Sequence, residues 1–182
     1  MVVKYFSQMY ALDCKSFHYI NQYFDYKRLN TIFRKITHMG GATFTILTVL
    51  LLILFTSGVE QMTAIASALS LTISHIPVAL VKKLCPRKRP YLVLQNSRVL
   101  ENPLTDCSFP SGHTTAIFSI ITPFILLFPL FSIALIPIAF LVAISRVYLG
   151  LHYPSDVLVG SLLGISSGVI CFNLLVTSIT TL

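Results

Sequence analysis

Four stretches without a single Lys, Arg, Asp or Glu, at 36–59, 61–81, 107–145 and 157–182, dictate what this chain can fold into. In hydrocarbon every backbone N–H and C=O must find its partner inside the chain, so apolar runs of this length become helices. One span needs about 20 residues and the third stretch has about twice that, so it reads as a helical hairpin. Phe128-Pro129 near its middle is the expected turn, because proline withholds a donor and disfavours helix in the residue before it. Spans are therefore predicted at about 41–57, 61–84, 111–128, 130–149 and 155–178. With 55% hydrophobic and 10% charged residues and a mean hydropathy of +0.81, a soluble domain is excluded. The predicted fold class is an all-α integral membrane bundle of about five transmembrane helices, with the lipid bilayer as its solvent.

The first 35 residues carry charges throughout and contain no apolar core of a leader peptide, so no cleaved segment is expected. Within them Phe17, Ile20, Tyr23, Phe24, Ile32, Phe33 and Ile36 recur at helical spacing between cations. Residues 1–40 thus read as an N-terminal interfacial amphipathic segment, and 41–182 as the transmembrane core. Pro77, Pro123 and Pro137 fall inside predicted spans, where neighbouring helices can satisfy the freed carbonyls.

Threading five spans puts all thirteen Lys and Arg and all eight tyrosines on one face, with Glu60 alone on the other. The net charge of +7 is gathered beside spans, which favours lipid phosphate over nucleic acid as partner; no nucleic-acid partner is expected. Cys14, Cys85, Cys107 and Cys171 lack metal-ligand spacing, so no metal site is expected. Cys85 and Cys107 bracket one polar loop and would be able to bridge in an oxidising compartment.

Ionisable groups in so apolar a chain are functional candidates by default. Three groups stand out. Lys82-x₆-Arg89-Pro90 closes the second span and enters the following loop, placing two cations where a phosphate at the membrane rim would lie. Lys83, Arg87 and Lys88 beside them read as interfacial anchors whose stems snorkel. Pro110-Ser111-Gly112-His113 opens the third span. Ser111 is a natural N-cap, the N–H groups after it point outward as in phosphate-binding helix starts, Gly112 admits close backbone approach, and His113 is placed to donate a proton. Ser145-Arg146-x₅-His152-x₃-Asp156 sets Arg146 in a last helical turn, then Gly150 as a C-terminal stop, then His152 in a short loop before Pro154 starts the next helix. Asp156 can hold one imidazole nitrogen of His152 and free the other to attack phosphorus. Cations, a nucleophile and a proton donor are what phosphoryl transfer needs. His18, His38 and His75 are assigned no catalytic role, with His75 expected to bond a helix carbonyl. Glu101 and Asp106 read as solvated loop acids.

With these residues assembled, the chain resembles the type 2 phosphatidic acid phosphatase family, whose three-part pattern it matches from Lys82 to Asp156 without substitution. The resemblance implies a helical membrane core and a phosphohistidine on His152, with Asp156 orienting that ring and His113 protonating the leaving group. It further implies a phosphate cradle of Lys82, Arg89, Ser111, Gly112 and Arg146, and no metal or other cofactor. It places the site outside the cytoplasm, whereas thirteen cations on the motif face point to the cytoplasm by the positive-inside rule.

The expected activity is hydrolysis of a terminal phosphate from a membrane lipid, with undecaprenyl pyrophosphate first and phosphatidylglycerol phosphate or phosphatidic acid next on the strength of that resemblance. A phosphotransferase would use the same site but pass the group to an acceptor. A non-catalytic lipid-phosphate binding or transport protein would need the cations without the nucleophile. Oligomeric state has no signature in the sequence.

Overall fold

The computed structural model describes residues 2–101 and 103–177, and all regular structure among them is helical. The helices are α1 (Val2–Asn21), α2 (Lys27–Ile36), α3 (Ala42–Phe55), α4 (Gly58–Leu84), α5 (Pro90–Val93), α6 (Gly112–Leu127), α7 (Ser132–Tyr148) and α8 (Pro154–Phe172). Three segments are long and apolar enough to cross a membrane: Gly58–Leu84, Pro129–Tyr148 and Pro154–Thr177. The protein is a multi-pass membrane protein.

The predicted span at 41–57 corresponds to α3, which is 14 residues long and reaches spanning length only with Lys27–Gly40, from which it is bent by 53°. The span predicted at 111–128 is the 16-residue α6, apolar but short. The last predicted span runs to 178, a residue outside the described ones. Phe128-Pro129 does form the turn of the hairpin, and Pro77, Pro123 and Pro137 lie inside α4, α6 and α7. Cys85 and Cys107 are free thiols.

Helix α6 is the hub. It packs most extensively on α8 and α4, and also on α7 and α3. Every residue from Thr114 to Pro123 is buried, while large side chains on the outer helices, such as Leu54, Phe55, Leu130 and Ile133, point outward. Lipid tails are as apolar as leucine, so helices in a membrane gain from close fit and hydrogen bonds rather than from leaving water. The inner faces accordingly carry small residues: Ser67 donates to the Ile120 carbonyl at 3.0 Å, and Thr114, Thr115, Ser119 and Thr122 are buried. Gly160, Gly164 and Gly168 form a stripe on α8 that touches α6. A β-carbon at Gly164 would lie 2.5 Å from the Thr115 carbonyl and 2.8 Å from Phe118 Cβ. The two backbones are therefore in contact.

The N-terminal segment is folded onto the motif-bearing end of the bundle. Phe17 is buried against Val147 and Tyr153, and Asn21 donates to the carbonyls of Tyr148 (2.8 Å) and Arg98 (2.9 Å). Gly164→Val should lower the thermal midpoint in detergent, since overpacking costs about 1–3 kcal/mol. An unchanged melting curve would contradict this account of the α6–α8 contact.

Candidate active site

Each motif residue is held by a helix end. Lys82 lies in the last turn of α4; Arg89 precedes Pro90, the first residue of α5. Ser111 is the N-cap of α6, with Gly112 and His113 opening the helix. The Ser111 hydroxyl meets Thr114 Oγ1 at 3.0 Å rather than capping a backbone N–H, and its own N–H donates to the Asp156 carbonyl at 3.0 Å. The second and third motifs are thus joined through the backbone.

Arg146 ends α7, and its carbonyl accepts from the N–H groups of Leu151 and His152, which folds the chain back sharply. Gly150 makes that turn with φ of +78°, and a β-carbon there would overlap the Arg98 carbonyl, so glycine is required. His152 follows in the loop, buried, and Asp156 sits in the first turn of α8.

The site is dense in charge, with Arg89, Arg146, His152 and Asp156 all buried. His152 Nε2 lies 3.3 Å from Arg89 Nη1, an acceptor position that leaves the hydrogen on Nδ1, and Nδ1 faces Asp156 Oδ2 at 3.6 Å. That separation is slightly longer than a hydrogen bond, and His152 Nδ1 has no bonded partner in this state. Arg146 is buried; Nη1 donates to Thr37 Oγ1 at 2.7 Å, while Nε and Nη2 have no partner among the described residues. Those two nitrogens form one edge of the planar guanidinium, a fork whose geometry suits two oxygens of an anion. His113 lies within electrostatic reach of Arg146, His152 and Arg89.

His113 and Gly112 also line a cavity of about 390 Å³ with Ile46, Leu71 and His75, between α3, α4 and α6. A β-carbon at Gly112 would project into this space, where only His75 Nε2 comes within 4 Å. His75 Nδ1 bonds the Leu71 carbonyl at 2.8 Å, as expected from the sequence. The cavity provides an apolar approach to His113 from the helix faces.

Several residues act in ways their sequence positions did not reveal. Asp106, read as a solvated acid, accepts hydrogen bonds from both Lys82 and Arg89. Burial pushes its carboxyl up, but those two cations outweigh the effect and hold it down at about 2. Both cradle cations are therefore occupied by an internal carboxylate. Arg87, read as an interfacial anchor, turns inward to Asp156 and Asp13. Thr37 supports Arg146 from a turn that precedes α3. Only pairing across 17 to 109 residues defines these roles, so no local spacing signals them.

A family model described as the PAP2 superfamily matches residues 63–179. The chain belongs to this superfamily. A lipid A 1-phosphatase of Rhizobium etli is 46% identical over 57 residues, which cover 31% of this chain and 25% of the relative. An undecaprenyl-diphosphatase of Sulfolobus acidocaldarius is 33% identical over 102 residues, 55% of this chain and 49% of the relative. The chain thus spans half or less of these two relatives. The crystal structure of Aquifex aeolicus LpxE superposes with a TM-score of 0.78 at 28% identity, covering 87% of this chain and 93% of that one. The PAP2-type membrane helical fold is shared along nearly the whole length.

The pH behaviour of the site follows from His152. Loss of water pushes its imidazole down from 6.5 to about 4; Asp156 opposes this, and Arg146 and Arg89 reinforce it. An NMR titration of the protein's histidines, with His152→Gln for assignment, should place this ring near pH 4. A midpoint at the ordinary 6.5 would overturn the reading. Because the unfolded ring binds its proton first, this group's stabilising effect is intact above 6.5 and is lost as pH falls toward 4. For Arg146, Thr37→Val should weaken inhibition by inorganic phosphate roughly tenfold, the loss of one hydrogen bond to a charged group. Unaltered inhibition would show that Thr37 does not aim the guanidinium.

Proposed function

We propose that this protein is a membrane lipid phosphatase that removes a terminal phosphate through a phosphohistidine on His152. The observation that carries this reading is the buried, unpartnered Nε–Nη2 edge of Arg146 beside a neutral histidine whose Nε2 is an acceptor. Burying a guanidinium with half its donors unused is costly unless an anion arrives to use them.

In the proposed reaction, a phosphate oxygen pair takes the free edge of Arg146, and Lys82 and Arg89 exchange Asp106 for phosphate oxygens. The Gly112 N–H at the start of α6 faces the same group, while the Ser111 N–H stays on the Asp156 carbonyl. His152 Nε2 attacks phosphorus as the bond to the leaving oxygen breaks, and His113 gives that oxygen its proton. Asp156 stabilises the ring as it becomes positive. Water then attacks phosphorus with His113 as base, the N–P bond breaks, and inorganic phosphate leaves. No metal is required, since the cations supply the charge stabilisation.

The apolar cavity at His113 suits a leaving group that stays in the bilayer. Undecaprenyl pyrophosphate is the first substrate proposed, followed by phosphatidylglycerol phosphate and phosphatidic acid. The undecaprenyl-diphosphatase name of one relative supports that order, and the lipid A 1-phosphatase name of another adds a lipid A phosphate to the substrates worth assaying. The N-terminal segment is proposed to lie at the membrane interface, on the extracytoplasmic side with the site.

The decisive assay is phosphate release by the detergent-solubilised protein from these lipids. His152→Ala should abolish it, Asp156→Asn should lower kcat on the order of 10³-fold, and chelator should leave it unchanged. Phosphate transfer to a lipid acceptor without release would instead identify a transferase, and turnover by His152→Ala would remove the phosphohistidine.

A further inference from the structure

Arg87 lies between the two cations of the first motif but belongs to none of the three motifs. One terminal nitrogen donates to Asp156 Oδ1 at 2.7 Å and to Ser155 Oγ at 2.8 Å; the other donates to Asp13 Oδ2 at 2.6 Å. The guanidinium also lies over the Tyr153 ring, 3.7 Å from its centroid. Asp13 comes from α1, outside the part of the chain matched by the family model. It is 8% exposed and accepts from both the N–H (2.9 Å) and the hydroxyl of Ser155. The cluster therefore ties α1, the loop after α4 and the start of α8 to one carboxylate.

Asp156, the other carboxylate that Arg87 holds, is the one facing His152. Asp156 Oδ2 accepts from the Tyr153 N–H at 2.9 Å and faces His152 Nδ1, while Oδ1 is held by Arg87 alone among side chains other than its own neighbours. With one oxygen pinned, a carboxylate can still rotate about its last bond; with both pinned, its plane is set. Arg87 also separates two buried acids, Asp13 and Asp156, that would otherwise repel each other in a medium of low dielectric. Lysine would not substitute, because three acceptors and an aromatic face are met by one planar fork.

We propose that Arg87 and Asp13 are positioning residues for the phosphoryl-transfer step, fixing the Asp156 carboxylate so that it holds the His152 ring in its attacking orientation. Helix α1 is then part of the catalytic apparatus and not only a surface attachment. This inference rests on the phosphohistidine reading. Among the described residues no hydrogen bond or ion pair joins Arg87 or Asp13 to Lys82, Arg89, Arg146 or Asp106, so their loss should change the chemical step and spare phosphate binding.

The test is a double-mutant cycle on phosphate release from undecaprenyl pyrophosphate, phosphatidylglycerol phosphate or phosphatidic acid, whichever the wild-type protein turns over in detergent. Arg87→Gln and the near-isosteric Asp13→Asn should each lower kcat about 10–100-fold, the range typical of partners that orient a reacting group, with KM and inhibition by inorganic phosphate within about threefold. Combined with Asp156→Asn, either should cost little more, because a residue acting through Asp156 has nothing left to orient. Arg87→Lys should recover little of the loss. Additive effects, or a loss carried by KM instead of kcat, would overturn the positioning role while leaving the phosphatase reading intact. Unchanged kcat in Asp13→Asn at an unchanged melting temperature would remove α1 from the catalytic apparatus. Turnover that survives His152→Ala, or the absence of release from all three lipids, would overturn the phosphohistidine reading itself and this inference with it.

Discussion

The contact between the backbones of α6 and α8 is the constraint on which the rest of the molecule depends. Gly160, Gly164 and Gly168 let α8 approach Ser111, Thr115 and Thr122 so closely that a β-carbon at any of the three would overlap an atom of α6. In lipid this fit is a large part of what holds two helices together. Its upper end is the hydrogen bond from the Ser111 N–H to the Asp156 carbonyl, which sets the helix carrying His113 against the helix carrying Asp156. The placement of His113 relative to Asp156 and its neighbour His152 is thus a property of helix packing.

Charge is distributed around that contact in three different arrangements. Lys82 and Arg89 share Asp106, which offsets one of their two positive charges. Arg87 is shared by two acids, Asp13 and Asp156. Among the described residues Arg146 alone of these cations keeps a buried edge without a partner, at 3% exposure. A buried pair costs little to retain once formed, whereas a buried unpaired charge is costly, and this contrast marks where an incoming anion is needed. The burial that creates the cost also keeps His152 neutral.

Much of this was legible in the chain. Helix boundaries followed from charge-free runs and from Ser111, Gly150 and Pro154, each a stop or start signal acting over a few residues. Two span predictions need adjustment, since α3 reaches spanning length only with the bent segment before it and α6 is 16 residues long. Hydropathy reports how apolar a stretch is and says little about where a helix bends or stops short inside a protein interior.

The residues that surround the site divide along the same line. Lys82, Arg89, Ser111, Gly112, His113, Arg146, His152 and Asp156 stand at helix ends whose positions are local properties, so the sequence by itself determined which side chains face one rim of the bundle. Asp13, Thr37, Arg87 and Asp106 acquire their roles from partners on other elements, across loops and bends that no spacing rule describes. Only the tertiary structure decided those pairings, because a hydrogen bond about 3 Å long depends on how whole helices are placed, and that placement is set by packing summed over the bundle.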